Sequence, residues 1–279
     1  MSVSAAYAAV LLAALAHASW NAILKSSGDR FLMLSSIRLV GLTAGIVAAA
    51  IAPLPAIESV PFLLAAAAVH YVYYALIISS YRVGDMSQVY PISRGIAPLL
   101  VVLLGALLAN EVLGGLSLFA VLFLSCGVLA LATGRQANNR HAVILAVATG
   151  IVIAGYSLLS GVGIRKSGSL LGYIAWLEIA TGAGMVCAAG TRGRPLLAAF
   201  AAAHWRSALV AGTLAVSGYA IALVAMSIAP IAKVVALRET SVVFAACIGS
   251  VFLREGFGAR RIAASIAVAI GLVLLALSR

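Results

Sequence analysis

The chain has 279 residues, 64% of them hydrophobic and only 9% charged, with a formal net charge of +11 and a mean hydropathy of +1.17. So little charge excludes a soluble domain of this size and reads as an integral membrane protein. The basic residues are scattered, mostly singly or in pairs at the ends of apolar segments, so they read as membrane-flanking charges, and no nucleic-acid partner is expected.

A helix rises about 1.5 Å per residue, so about 20 apolar residues are needed to cross the hydrocarbon. Ten segments qualify, at 5–24, 31–52, 61–81, 86–109, 113–133, 142–163, 169–190, 207–228, 230–253 and 259–277. The first has no basic residue ahead of it and runs into Trp20, Asn21 and Lys25, which marks it as a span and not a cleaved signal peptide. Asn21 and Lys25 are four apart and share a face, suiting either an entry gate or an interfacial anchor. Span two carries Arg38 and a close-packing GxxxG at Gly41 and Gly45; Pro53, Pro55 and Pro61 then punctuate the chain. Span three sets His70, Tyr73 and Tyr74 on one face. Span four contains Tyr90, Pro91, Arg94 and Pro98 and closes at Glu111; Gly114 and Gly115 precede span five. Tyr156 falls in span six, Glu178 with Gly182 and Gly184 in span seven, Tyr219 in span eight, and Arg238 and Glu239 in span nine after Pro230. The prolines of spans four and nine are expected to interrupt or open those helices. Tyr7 and Tyr173, near helix ends, read as ordinary interfacial tyrosines.

Two of these stretches repeat one another. Sliding 90–111 along 234–255 by 144 positions superposes Arg94 on Arg238, Gly105 on Gly249 and Glu111 on Glu255. Lys25-Ser-Ser-Gly28 likewise resembles Lys166-Ser-Gly168, and Tyr74-Ala75 resembles Tyr219-Ala220 with one residue of slippage. The chain therefore divides into a first five-helix repeat at 1–135, a connecting loop at 136–141 and a second five-helix repeat at 142–279. Five is odd, so equivalent helices run in opposite directions. The predicted fold is all-α: ten transmembrane helices as two inverted repeats, a geometry suited to alternating access.

The odd-numbered loops hold eleven basic residues and the even side four, Arg165, Lys166, Lys233 and Arg279. This bias places the odd loops in the cytoplasm and both termini outside. Cys126, Cys187 and Cys247 each stand alone in apolar sequence, with no CxxC, and read as small packing residues. Neither a metal nor a cofactor is expected.

Together, His17-Ala-Ser-Trp20-Asn21 ahead of Lys25 and Asp29, Tyr90-Pro91 before Arg94, Ala97-Pro98 and a glutamate closing spans four and nine resemble the drug/metabolite transporter superfamily. The resemblance is to its EamA-type branch, covers essentially the whole chain, and is strongest to a subgroup labelled phosphonate-utilisation-associated. It implies a basket of ten helices around a cavity lined by spans one, three, four, six, eight and nine, in the inner (plasma) membrane. It also implies cytoplasmic termini, opposite to the charge count.

An intramembrane arginine is costly and usually lines a polar pathway. Arg94 and Arg238 lie 17 residues before Glu111 and Glu255, about 25 Å along each helix, so in antiparallel helices they flank the midplane. Such a pair suits a carboxylate, phosphate or phosphonate; the alternative is internal neutralisation by Glu239 or Glu178. Glu239 follows Arg238 directly and points about 100° away, so it does not bridge to it. Glu178 and Glu239 suit proton coupling or charge pairing with Arg94, Arg238 or Arg38. Tyr74, Tyr90, Tyr156, Tyr219, His70, Trp20 and Asn21 complete the expected solute site, while Glu111 and Glu255 terminate helices without chemistry.

The expected function is secondary active or facilitative transport of small anionic or zwitterionic metabolites: amino acids, aminophosphonates or organic phosphates. A cationic-drug exporter and a non-transporting solute sensor are the rivals. An enzyme is not expected, since there is no HExxH and no GxSxG. The partners are the solute and the lipid bilayer; a homodimer through the terminal spans of each half is compatible with the sequence but not demanded by it.

Overall fold

The computed structural model describes residues 2–83, 86–130, 139–252 and 259–278. Glu255 and positions 135–138 around the join of the two halves lie outside them. Among the described residues there are helices and no strands. They are α1 Val3–Ser26, α2 Arg30–Ala49, α3 Val60–Val83, α4 Met86–Leu108, α5 Gly115–Ala130 and α6 Arg140–Lys166. The chain continues through α7 Leu170–Gly190, α8 Arg194–Ala203, α9 Trp205–Ile228, α10 Ile231–Arg238, α11 Ser241–Phe252 and α12 Ala259–Leu277.

Seven of these, α1 to α4, α6, α7 and α9, are long and apolar enough to cross a membrane; α5 and α12 offer shorter apolar runs, Gly115–Ala130 and Ser265–Leu277. The protein is accordingly an all-helical, multi-pass membrane protein. Its outer surface is apolar, with Leu12, Ile46, Leu64, Leu103 and Leu107 all exposed, while charged side chains such as Arg38, Arg94, Glu178 and Glu239 are buried. That inversion of the soluble pattern is what a lipid solvent requires.

Short polar caps start the helices. Asp29 accepts from the amides of Phe31 and Leu32 at 2.9 and 3.0 Å, Ser169 from Gly172 and Asn139 from Ala142, satisfying donors that the first turn leaves free. Gly168, at φ +64°, makes the tight reversal between α6 and α7.

Five features depart from the sequence expectation. Pro91 and Pro98 lie inside a continuous α4, so they do not break it. Span nine is instead interrupted between α10 and α11 at Glu239 and Thr240, where the polar run Arg238-Glu239-Thr240-Ser241 competes with the helix ladder: Thr240 Oγ1 donates to the Leu237 carbonyl at 2.8 Å. A short helix, α8, follows Gly193 (φ +117°) where only a connection was expected. The cysteines are exposed on the outer surface and do not pack the core, and Tyr173 is fully buried in the helix packing, set over Gly163.

The helices pair along their lengths: α2 with α7, α1 with α9, α3 and α4 with α6, and α5 with α12. Lesser contacts join α4 to α10, α1 to α10 and α11, α3 to α7 and α2 to α9. The α2–α7 crossing depends on glycine at close approach. A Cβ on Gly45 would stand 2.8 Å from the Ala175 carbonyl oxygen, and one on Gly182 would stand 2.8 Å from that of Arg38. This tight crossing sets Arg38 beside Glu178.

Candidate functional site

At the centre of the bundle is a cavity of about 50 Å³, walled by side chains from α1, α2, α3, α6, α7, α9 and α10. Its volume suits a few water molecules, so the enclosed form must expand to admit a metabolite. Of the residues expected to contact solute, Trp20, His70, Tyr74, Tyr156, Tyr219 and Arg238 line it, as do Arg38 and Glu178. His17 and Tyr73 line it too, although the sequence reading gave them no role.

One wall is a continuous aromatic cluster. The His70 ring lies 4.2 Å from that of Tyr156 and 5.5 Å from that of Tyr219, and Tyr73 lies 5.5 Å from Tyr156. The Tyr219 hydroxyl donates to Ser160 Oγ at 3.0 Å, which fixes the ring edge toward α6. Such a wall offers π-faces and hydroxyl groups at little cost in side-chain freedom.

The charges are arranged unequally around it. Arg38 on α2 meets Glu178 on α7 at 3.1 Å and donates to the Tyr74 hydroxyl at 3.3 Å. Arg94 on α4 meets Glu239 at 3.4 Å, with side chains only 2% and 0% exposed. Arg165 on α6 meets Glu111 at 2.6 Å. Arg238 has no carboxylate partner among the described residues. Its guanidinium carbon lies 5.3 Å from the centre of the Tyr219 ring, the residue is 4% exposed, and its Nε has no hydrogen-bond partner. One buried guanidinium thus faces the cavity beside an aromatic ring and without a direct ion-pair partner among the described residues.

Four expected site residues, Arg94, Tyr90, Glu239 and Asn21, do not line this cavity. Arg94 and Tyr90 line a separate, smaller void of about 10 Å³ with Tyr73 and Thr149, so the two arginines face different cavities in this conformation. Glu239 makes its ion pair with Arg94 on α4 and none with Arg238, in keeping with the helical angle between neighbouring residues. Tyr90 donates to Ser241 Oγ at 2.9 Å, tying α4 to the start of α11. Asn21 is fully buried and donates to the His17 carbonyl at 2.9 Å, which places it in the helix packing and away from a mouth. His17 in turn accepts from Trp20 Nε1 at 3.3 Å and lies against the Arg94 guanidinium. The His17-Trp20-Asn21 spacing of three and four residues is the sequence signal that could have found this cluster.

One end of the bundle is sealed by groups to which the sequence assigned no chemistry. Glu111, beyond the end of α4, pairs with Arg165 and also accepts from the Ile231 amide at 2.9 Å. It thereby caps α10, whose N-cap, Pro230, supplies no side-chain acceptor. Arg165 also donates to the carbonyls of Met226 and Ala229 at 2.8 and 2.7 Å. Glu111 is therefore a bridging acid rather than a simple helix terminator. No sequence signal carries this, because α4, α6 and α10 meet only in the tertiary fold. Among the described residues, no group of three histidine, cysteine, aspartate or glutamate side chains is placed to hold a metal ion.

Neither a family model nor a curated protein matches the chain. A solved structure described as "Crystal structure of protein" is similar in fold over 99% of this chain and 98% of its own, with a TM-score of 0.73 and 16% identity. The likeness extends over the whole architecture and bears on fold alone.

Proposed function

We propose that this protein is a secondary active or facilitative transporter of small anionic or zwitterionic metabolites, working by alternating access in the inner (plasma) membrane. The observation that carries the reading is Arg238. The other arginines of the cavity region and the sealed end, Arg38, Arg94 and Arg165, are each matched with a carboxylate, whereas Arg238 faces an enclosed cavity with none among the described residues. A buried guanidinium without a direct ion-pair partner favours an incoming carboxylate, phosphate or phosphonate, and the aromatic wall positions the remainder of the solute. The same charge disfavours a cationic drug.

The proposed architecture is ten crossings in two inverted five-helix repeats of the EamA type. In it α5, the interrupted α10–α11 pair and α12 supply three crossings beyond the seven clear ones, and α8 lies outside the count. The packing supports this. Exchanging α1 with α6, α2 with α7, α3 with α9, α4 with α10–α11 and α5 with α12 turns the α1–α9 contact into α3–α6, α4–α6 into α1 against α10–α11, and α3–α7 into α2–α9. The α2–α7, α5–α12 and α4–α10 contacts map onto themselves. A pseudo-two-fold axis in the membrane plane has this effect, and rocking one half against the other would open the cavity to each side in turn.

The test is solute flux into proteoliposomes together with thermal shift of purified protein against amino acids, aminophosphonates, organic phosphates and cationic drugs. Anionic or zwitterionic solutes should stabilise the protein and be transported, and Arg238→Ala should lose both. Stabilisation without flux would identify a sensor. Stabilisation by cations, or by anions equally in Arg238→Ala, would reject the reading.

A further inference from the structure

A second cavity, of about 430 Å³, opens on the lateral face between α3 and α7. Its floor is apolar, formed by Tyr71, Ala75 and Ile78 of α3 and by Gly184, Met185 and Ala188 of α7. At one end stand Arg82, in the last turn of α3, and Arg192, in the turn after α7. Both are exposed, and neither has a carboxylate partner among the described residues. The Arg192 guanidinium is held 3.9 Å over the Phe31 ring at the groove's mouth.

The groove has the dimensions of one lipid leaflet. From Tyr71 to Arg82 is eleven residues of continuous helix, about 16 Å at 1.5 Å per residue, against about 15 Å for half of a bilayer core. Its deep end is closed by Tyr71, whose hydroxyl donates to the Ala180 carbonyl, and by Tyr74, which also lines the central cavity. The apolar length therefore lies at acyl-chain depth and the two guanidiniums at headgroup depth, spaced along one groove.

We infer that this groove is a binding site for an anionic glycerophospholipid, with the phosphate held by Arg82 and Arg192 and an acyl chain laid between α3 and α7. Charge complementarity selects the occupant: a second helix or a neutral solute leaves two unmatched arginines, and a soluble anion leaves the apolar groove unfilled. The site is separate from the central cavity and does not depend on what that cavity carries.

Native mass spectrometry of the protein released from micelles tests this, with phosphatidylglycerol, phosphatidylcholine and free glycerol phosphate offered in equal amounts. Two basic side chains near the surface correspond to roughly thirtyfold preference for phosphatidylglycerol over phosphatidylcholine. Arg82→Gln with Arg192→Gln should bring the preference close to that of a general basic surface, and Ala188→Phe, which fills the groove while both charges are kept, should reduce retention of both lipids. Glycerol phosphate alone should not be retained. Equal binding of the two phospholipids, a preference unchanged in the double variant, retention unaltered by Ala188→Phe, or retention of glycerol phosphate as strong as that of the lipid would each overturn the inference.

Discussion

Glu178 and Arg38 are worth little as an attraction and much as an obligation. Their mutual pull largely repays the cost of taking both charges out of water, whereas removing one leaves the other stranded in the bundle. Glu178→Gln should therefore lower stability by about 3–5 kcal/mol, while Arg38→Met combined with Glu178→Met should recover most of that loss; thermal unfolding in detergent distinguishes the two outcomes. At Arg238 the expectation is reversed. With no carboxylate to strand among the described residues, Arg238→Ala should change the stability of the empty protein little and cancel the stabilisation given by an anionic solute. The ionisable residues themselves were legible, because an arginine or glutamate in an apolar run is conspicuous. Their partners were only partly so. Helical angle alone turns Glu239 away from Arg238, but the choice of Arg94 depends on α4 lying beside α10, and adjacency between distant helices leaves no mark on either segment.

Among the elements, α2 and α7 show how far small residues specify contact. Gly41, Gly45 and Gly182 announce close packing in the sequence, and the structure supplies the partner: backbone at Ala175 and Arg38 occupies the place a side chain would take. Gly45→Ala should cost about 1–3 kcal/mol and weaken the Arg38–Glu178 pairing by forcing the helices apart. Gly28→Ala, at a position with no atom within 4 Å of an added Cβ, should change stability by less than about 0.5 kcal/mol. Span nine was less legible. Proline was the obvious signal for a broken helix, yet α4 runs through two prolines and the interruption falls at Glu239 and Thr240. Consecutive polar residues with a local side-chain bond to the backbone end α10 within the bundle, where Arg94 holds Glu239 at the break and Tyr90 holds Ser241 just after it.

For the whole molecule, an offset of 144 residues in the sequence and the exchange of helix contacts in the structure lead independently to the same proposed symmetry. What neither discloses in sequence is how an end of the bundle is shut. Glu111 and Arg165 do this by joining α4, α6 and α10. Replacing Glu111 with glutamine should loosen that end, and a cysteine placed at Ala229 in a cysteine-free background should then react several-fold faster with a membrane-impermeant maleimide than it does beside the intact pair. Separation of that end would do more than break an ion pair. The carbonyls of Met226 and Ala229 and the amide of Ile231 would lose their partners together, and at that depth only water can replace them. Opening is thus a wetting event, with hydration counted in the same step as helix movement. A large osmolyte that cannot enter the bundle should hold the protein shut, so that on the proposed transport reading both turnover in proteoliposomes and stabilisation by solute fall as water activity is lowered, because the closed cavity is too small to admit a metabolite.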